Sequence, residues 1–312
     1  MPLSVAVQMD PIEHIKIAGD STFALMIEAQ KRGHKLFYHT PDLLSFENGK
    51  VFAHIRPLSV QDVEGNHFKL GESVRADLSA FDVVLLRQDP PFDMAYITST
   101  HLLERLQPKT LVTNDPKSVR ESPEKIFVLQ FSAFMPETLI TRSRADIEAF
   151  RSTHGEVVMK PLYGHGGGSV FHVGKHDANF GSLFDLFSTM SREPWIVQRF
   201  LPKVRLGDKR IIMIDGEFAA AVNRIPAKDD IRANMVRGGV GELSKLTKRE
   251  HEICEAVGPH LRELGLLLAG LDIIDEHLTE INVTSPTGLR AISRLGGPDL
   301  TVAVWDAIER RR

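Results

Sequence analysis

A chain of 312 residues is longer than one compact core usually serves, and its 42% hydrophobic and 25% charged content excludes a disordered or fibrous design. The balance of 38 basic against 41 acidic residues, a formal charge of -3, gives no electrostatic case for nucleic acid or an anionic membrane as partner. The opening MPLSVAVQMDP lacks a basic segment followed by a long apolar one, and no later run reaches the length of a membrane span, so a cytoplasmic protein is expected.

Strand-like and helix-like runs alternate through the first part of the chain. SVAVQMD reads as a strand, and DSTFALMIEAQKRGH as a helix with Asp20 or Ser21 at its N-cap and Gly33 at its stop. KLFYHT is the next strand, ENGKVFAHIRPLSV a hairpin about Asn48 and Gly49, FDVVLLRQ a buried parallel strand, MAYITSTHLLERLQ a helix and TLVTND a closing strand. This order predicts an open α/β unit over residues 1–122.

From SPEKIFVLQF the pattern changes. A helix, the strand ETLIT, the helix RADIEAFRSTHG and the strand EVVMKPL predict a small mixed unit over 123–197. After WIVQRFLP, DKRIIMIDGEFAAAVNRI reads as a hairpin turning at Asp215 and Gly216, which opens a third, antiparallel unit over 198–312. Residues 227–241 mix charges with three glycines and lack an apolar period, as a long functional loop would. Cys254 is the only cysteine, which excludes intramolecular disulfides and multi-cysteine metal sites, and its setting in a helix-like stretch predicts burial.

The densest glycine cluster, KPLYGHGGGSVF at 160–171, lets backbone amides approach a ligand closely and suits phosphate; a ligand-free hairpin turn is the plain alternative. Ser169 stands where a dinucleotide fingerprint needs its third glycine, Gly174 and Lys175 lead into His176 rather than a P-loop hydroxyl, and HGGG lacks the downstream G-x-S-x-G of a hydrolase. Lys125 and Lys160 flank the cluster; either alone reads as a surface charge, but Lys160 ends an apolar strand just before the glycines and could hold a nucleotide phosphate. Asp208 and Arg210 share one face of a strand, as an exposed ion pair or as part of a site. Asp272 interrupts the apolar LLLAGLDIID, where an unpaired carboxylate is costly, and Glu280 and Asn282 share one face of the next strand. An all-oxygen patch of this kind suits magnesium better than zinc.

These blocks together, with MDPI at 9–12, RQDPPFD at 87–93, DKR at 208–210 and GLDII with LTEINVTSPT at 270–287, resemble the ATP-grasp superfamily and, within it, the prokaryotic-type glutathione synthetases. The resemblance covers nearly the whole chain. It implies an ATP-grasp fold: an N-terminal open α/β domain, a small central α+β lid domain and a C-terminal antiparallel α+β domain. It also implies ATP-dependent joining of γ-glutamylcysteine to glycine through an acyl phosphate. On that basis Lys125 and Lys160 would bind ATP phosphates, Gly164, Gly166, Gly167, Gly168 and Ser169 would form the lid loop, and Gln198, Phe200 and Leu201 would line the adenine pocket. Asp272, Glu280 and Asn282 would hold two Mg2+ ions, with Mn2+ able to substitute. Arg210 would stabilise the acyl phosphate with Asp208 orienting it, and Arg87, Arg224 and Asn234 would contact the peptide.

The loop about 231–241 resembles the family's flap, although AKDDIRAN is more charged than that pattern, and Gly288 and SRLGGPDL also depart from it. The family implies a homo-oligomer, dimer or tetramer. Another ATP-grasp carboxylate-amine ligase, and a nucleotide-binding regulator without turnover, remain the competing readings.

Overall fold

The computed structural model describes residues 1–164, 166–228, 230, 232–233 and 240–312. The first sheet is built from β1 (Ser4–Gln8), β2 (Lys35–His39), β3 (Leu44–Glu47), β4 (Lys50–Val60), β5 (Phe68–Leu70), β6 (Val74–Asp77), β7 (Val83–Leu86) and β8 (Leu111–Thr113). Its order is β3-β4-β2-β1-β7-β8, with β5 and β6 also paired to β4. β1 runs parallel to β2 and β7, and β7 to β8. All four residues of β7 are buried, as a continuous apolar run in a doubly covered parallel strand requires. The crossovers are α1 (Ser21–Lys31) and α2 (Met94–Glu104), followed by the short α3 (Pro116–Glu121) and α4 (Glu124–Phe127). Asp20, not Ser21, caps α1 by accepting from Phe23 N at 2.6 Å. Asn48 and Gly49 make the β3–β4 turn in left-handed conformations, φ 49° and 82°.

The second sheet, β9 (Thr138–Thr141), β10 (Val157–Pro161), β11 (Phe171–Val173) and β12 (Trp195–Arg199), is antiparallel in the order β11-β10-β12-β9. It packs against α5 (Arg144–His154) and α6 (Phe180–Met190) through Ile147, Phe180 and Trp195. β12 continues to Arg199, so this sheet passes the expected boundary at 197.

The third sheet, β13 (Asp208–Ile214), β14 (Glu217–Ile225), β15 (Val240–Leu243), β16 (Leu268–Ile274) and β17 (His277–Asn282), is antiparallel in the order β15-β14-β13-β16-β17. Strand alternation gives it two apolar faces. Ile211 and Met213 join Ile253, Val257 and Leu261 of α7 (Lys248–Glu263), while Ile212 and Ile214 join α8 (Leu289–Arg294) and α9 (Leu300–Arg311). Cys254 lies in the α7 layer, buried, with its thiol pushed up to about 12 by desolvation. α9 also packs on α1, where fully buried Trp305 donates Nε1–H to Leu25 O at 2.8 Å, so first and third sheets share a core.

Two differences from the sequence reading have simple causes. β5 and β6 were not expected, because three or four residues with exposed charged side chains show no apolar period; backbone pairing to the long β4 makes them strands. β15 begins at Val240, inside the expected loop 227–241. No described helix is long and apolar enough to cross a membrane.

Candidate active site

One cavity of about 410 Å³ lies where the three sheets meet. The second sheet supplies its glycine-rich wall. β10 carries Lys160 near its end, and the chain then passes through Gly164, Gly166, Gly167 and Gly168, all lining the cavity, before returning as β11. Gly166 and Gly167 adopt φ 61° and 69°, which turns successive backbone amides without side-chain cost. Ser169, φ 55°, completes the turn without lining the cavity. His165 lies outside the described residues.

Lys125 is not a surface charge. It is only 4% exposed, its Nζ donates to the carbonyl of Gly164, and it stands 3.8 Å from Glu280 Oε1. Lys160 approaches the same oxygen at 3.3 Å. Burial raises the pKa of Glu280, but Lys125 and Lys160 outweigh it and the net direction is down. Gln198 is buried on β12, donating Nε2–H to Thr138 Oγ1 at 3.2 Å, and lines the cavity with Phe200 and Leu201.

The third sheet sets the opposite wall by register. Arg210 on β13 is paired with Asp272 on β16, Asp272 with Glu280 on β17, and Gly270 with Asn282. Arg210 binds Asp272 through both carboxylate oxygens, Nε to Oδ1 at 2.5 Å and Nη2 to Oδ2 at 3.0 Å. Arg224 on β14 donates to Asp208 Oδ2 at 2.7 Å and lies 3.0 Å from Asp272 Oδ1. Burial pushes Asp272 up, yet Arg210 and then Arg224 hold its carboxyl well below the usual range. For Asp208 burial wins over Arg224, and the pKa rises. Asn282 donates Nδ2–H to Asp272 Oδ2 at 3.2 Å. A Cβ on Gly270 would sit 3.0 Å from the Arg210 side chain, so glycine there makes room for the guanidinium.

The expected partnership of Asp208 with Arg210 is corrected here. Asp208 and Arg210 are two apart on one strand, but antiparallel pairing puts Arg224 directly across from Asp208 and Asp272 across from Arg210. Asp208 lines the cavity, and its buried Oδ1 has no hydrogen bond among the described residues. Arg87 and Arg224 lie behind the wall rather than in it; Arg87 donates to Thr22 Oγ1 at 3.0 Å and to Pro286 O at 3.1 Å. Asn234 lies outside the described residues, as does most of 229–239.

Glu124 was missed by sequence reasoning. It lines the cavity, accepts from Thr284 Oγ1 at 3.0 Å, and burial, opposed by Lys125 and reinforced by Glu280, pushes it up to about 7. Its sequence signal was a single acid in the first turn of a short helix, which ordinarily marks a solvated helix start.

Comparison with known proteins agrees along the entire chain. The family profile of the prokaryotic glutathione synthetase N-terminal domain matches residues 3–120, and that of the prokaryotic glutathione synthetase ATP-grasp domain matches residues 124–297. The glutathione synthetase of Rhodopseudomonas palustris is 62% identical over 312 residues, covering 100% of both chains. That of Bradyrhizobium diazoefficiens is 63% identical over 312 residues, covering 100% of this chain and 99% of the relative. Among solved structures, the D-cycloserine synthetase DcsG superposes with a TM-score of 0.69 at 14% identity, covering 99% of this chain and 100% of that one. The ATP-grasp ligase PsnB, solved with a minimal precursor, Mg and ADP, gives 0.63 at 16% identity over 98% and 97%; both likenesses speak to fold alone. With its fold, its cavity and its full-length matches in agreement, the chain belongs to the prokaryotic glutathione synthetase family and has the ATP-grasp fold.

Proposed function

We propose that the cavity joins γ-glutamylcysteine to glycine with consumption of ATP, through an acyl phosphate on the cysteinyl carboxylate. The observation that carries this reading is the convergence of three sheets on one cavity, with Lys125, Lys160 and the glycine turn at one wall and Arg210 with Asp272 at the other. Full-length identity to glutathione synthetases favours it over another ATP-grasp carboxylate-amine ligase.

Each role follows from what the side chain touches. Lys125 and Lys160, both at Glu280, hold positive charge where terminal phosphates would sit, and the amides of Gly164, Gly166, Gly167 and Gly168 would cover those phosphates. Gln198, Phe200 and Leu201 form the adenine side. Arg210, locked in place by Asp272, presents its guanidinium to charge developing on the acyl phosphate and on the tetrahedral species after amine attack. A donor so preorganised is worth about 3 to 4 kcal/mol in the transition state. Arg224, behind the wall, holds Asp208 and Asp272 in place and helps keep Asp272 charged.

Asp272, Glu280 and Asn282 would hold Mg2+, with Mn2+ able to substitute. The donor set is all oxygen, as such an ion requires, with Asp272 sharing its oxygens with Arg210 and Arg224, and two carboxylates with one amide leave coordination positions for water and phosphate oxygens. Bound there, the ion would supply charge neutralisation to the phosphates.

The test is phosphate release with ATP, magnesium and γ-glutamylcysteine, with and without glycine, the product being identified by mass. A glycine-dependent tripeptide is expected, and Glu280→Gln should abolish it while leaving the circular dichroism unchanged. Absence of a glycine-dependent product from the wild type would overturn the reading.

A further inference from the structure

Gly288 departs from the family's sequence pattern, and the roles above leave it unused. It stands where the cavity-lining run 284–287 turns into α8, at φ 128°, a conformation that favours glycine. The run itself is tied down residue by residue. Thr284 donates Oγ1–H to Glu124 at 3.0 Å and Ser285 donates Oγ–H to Arg87 O at 3.3 Å, while Pro286 O accepts from Arg87 Nη2 at 3.1 Å. Thr287 O accepts from Arg210 Nη1 at 3.3 Å. Asp272 already takes Nε and Nη2 of Arg210, so Thr287 O fixes the remaining nitrogen of the guanidinium.

The first backbone N–H groups of a helix lack intrahelical acceptors, and Gly288 at the N-cap has no side chain to offer one. Ser21 supplies the oxygen from the start of α1. It is 1% exposed, and its Oγ accepts from Gly288 N at 3.2 Å and from Leu289 N at 3.3 Å. The turn so held lies against the arginine, because a Cβ added to Gly288 would stand 3.8 Å from Arg210 Cγ and 3.4 Å from Ile212 Cδ1.

Resting on the ligase reading above, in which Arg210 meets charge on the acyl phosphate, we propose that Ser21 is a positioning residue for Arg210. By capping α8 from α1 it fixes the turn at 287–288, and with it the carbonyl that aims the guanidinium. Ser21 itself does not line the cavity, so its effect on rate passes through that turn.

The test measures steady-state and single-turnover ligation in the full-length wild type, Ser21→Ala and Ser21→Thr, with Ser21→Ala repeated in an Arg210→Lys background and ADP affinity as the check on folding. Ser21→Ala should lower kcat about tenfold or more while KM for ATP stays within about twofold, and Ser21→Thr, which keeps a hydroxyl oxygen, should recover most of the loss. In the Arg210→Lys background Ser21→Ala should cost less than about twofold, because the guanidinium it aims is gone. Full activity in Ser21→Ala, or an equal loss in both backgrounds, overturns the positioning role and leaves the ligase reading standing. A wild type that forms no glycine-dependent product sinks the ligase reading and the inference with it.

Discussion

Glu280 shows how far single residues can be read in isolation. Its face on β17, shared with Asn282, follows from strand alternation, but nothing local announces that two lysines from different segments meet one of its oxygens. Lys125 read locally as an ordinary surface charge for the same reason, whereas Lys160 stood out by ending an apolar strand just before the glycines. Glu124 was invisible because its burial comes from neighbours distant in sequence. His39 makes the energetic point in a testable way. It is fully buried at the end of β2, its Nδ1–H donates to Thr40 O at 3.2 Å, and desolvation pushes its pKa from 6.5 down to about 4. Between those two pH values the unfolded chain binds the extra proton and the folded one does not, so stability is retained above 6.5 and lost as pH falls toward 4. His39→Gln should remove about 2 kcal/mol of that acid sensitivity, measured by urea unfolding at pH 7 and pH 4.5.

At the scale of elements, the hairpin of β13 and β14 was legible from its Asp-Gly turn, and Gly216 indeed takes φ 77°. What the turn rests on was not legible. α7 crosses directly over it, and a Cβ added to Gly258 would stand 2.2 Å from the carbonyl oxygen of Gly216. Helix and turn are in backbone contact, so neither can yield by rotating a side chain. Gly258→Ala is therefore expected to cost about 1 to 3 kcal/mol even though alanine favours a helix, read as a lowered thermal midpoint. The α7 N-terminus, by contrast, follows local rules: Thr247 and Glu250 form a capping box that three-residue spacing announces.

For the whole molecule, the decisive joint lies between the first and third sheets. Asn114, buried just after β8, donates Nδ2–H to Leu268 O and Val283 O, both at 2.8 Å, and accepts from Leu268 N at 2.9 Å. One side chain thus ties together the adjoining ends of β16 and β17, the strands that carry Asp272 and Glu280. Asn114→Ala leaves a buried N–H and carbonyls unpaired and is expected to cost about 2 to 4 kcal/mol, and calorimetry should show it. A variant with an unchanged unfolding curve would mean that the joint is held by α1 and α9 alone.

The sequence by itself determined the alternating elements of the first sheet, the glycine turn, the Asp215-Gly216 hairpin and the shared face of Glu280 and Asn282, because each depends on period, turn chemistry or spacing within about a dozen residues. The tertiary structure alone decided that Asp208 answers to Arg224, that Arg210 answers to Asp272, and that Lys125, Glu124 and Asp89 face one cavity. Those outcomes rest on cross-strand register and on the burial of charges by segments far apart in the chain. Both are properties of the packed sheets, and no local pattern encodes them.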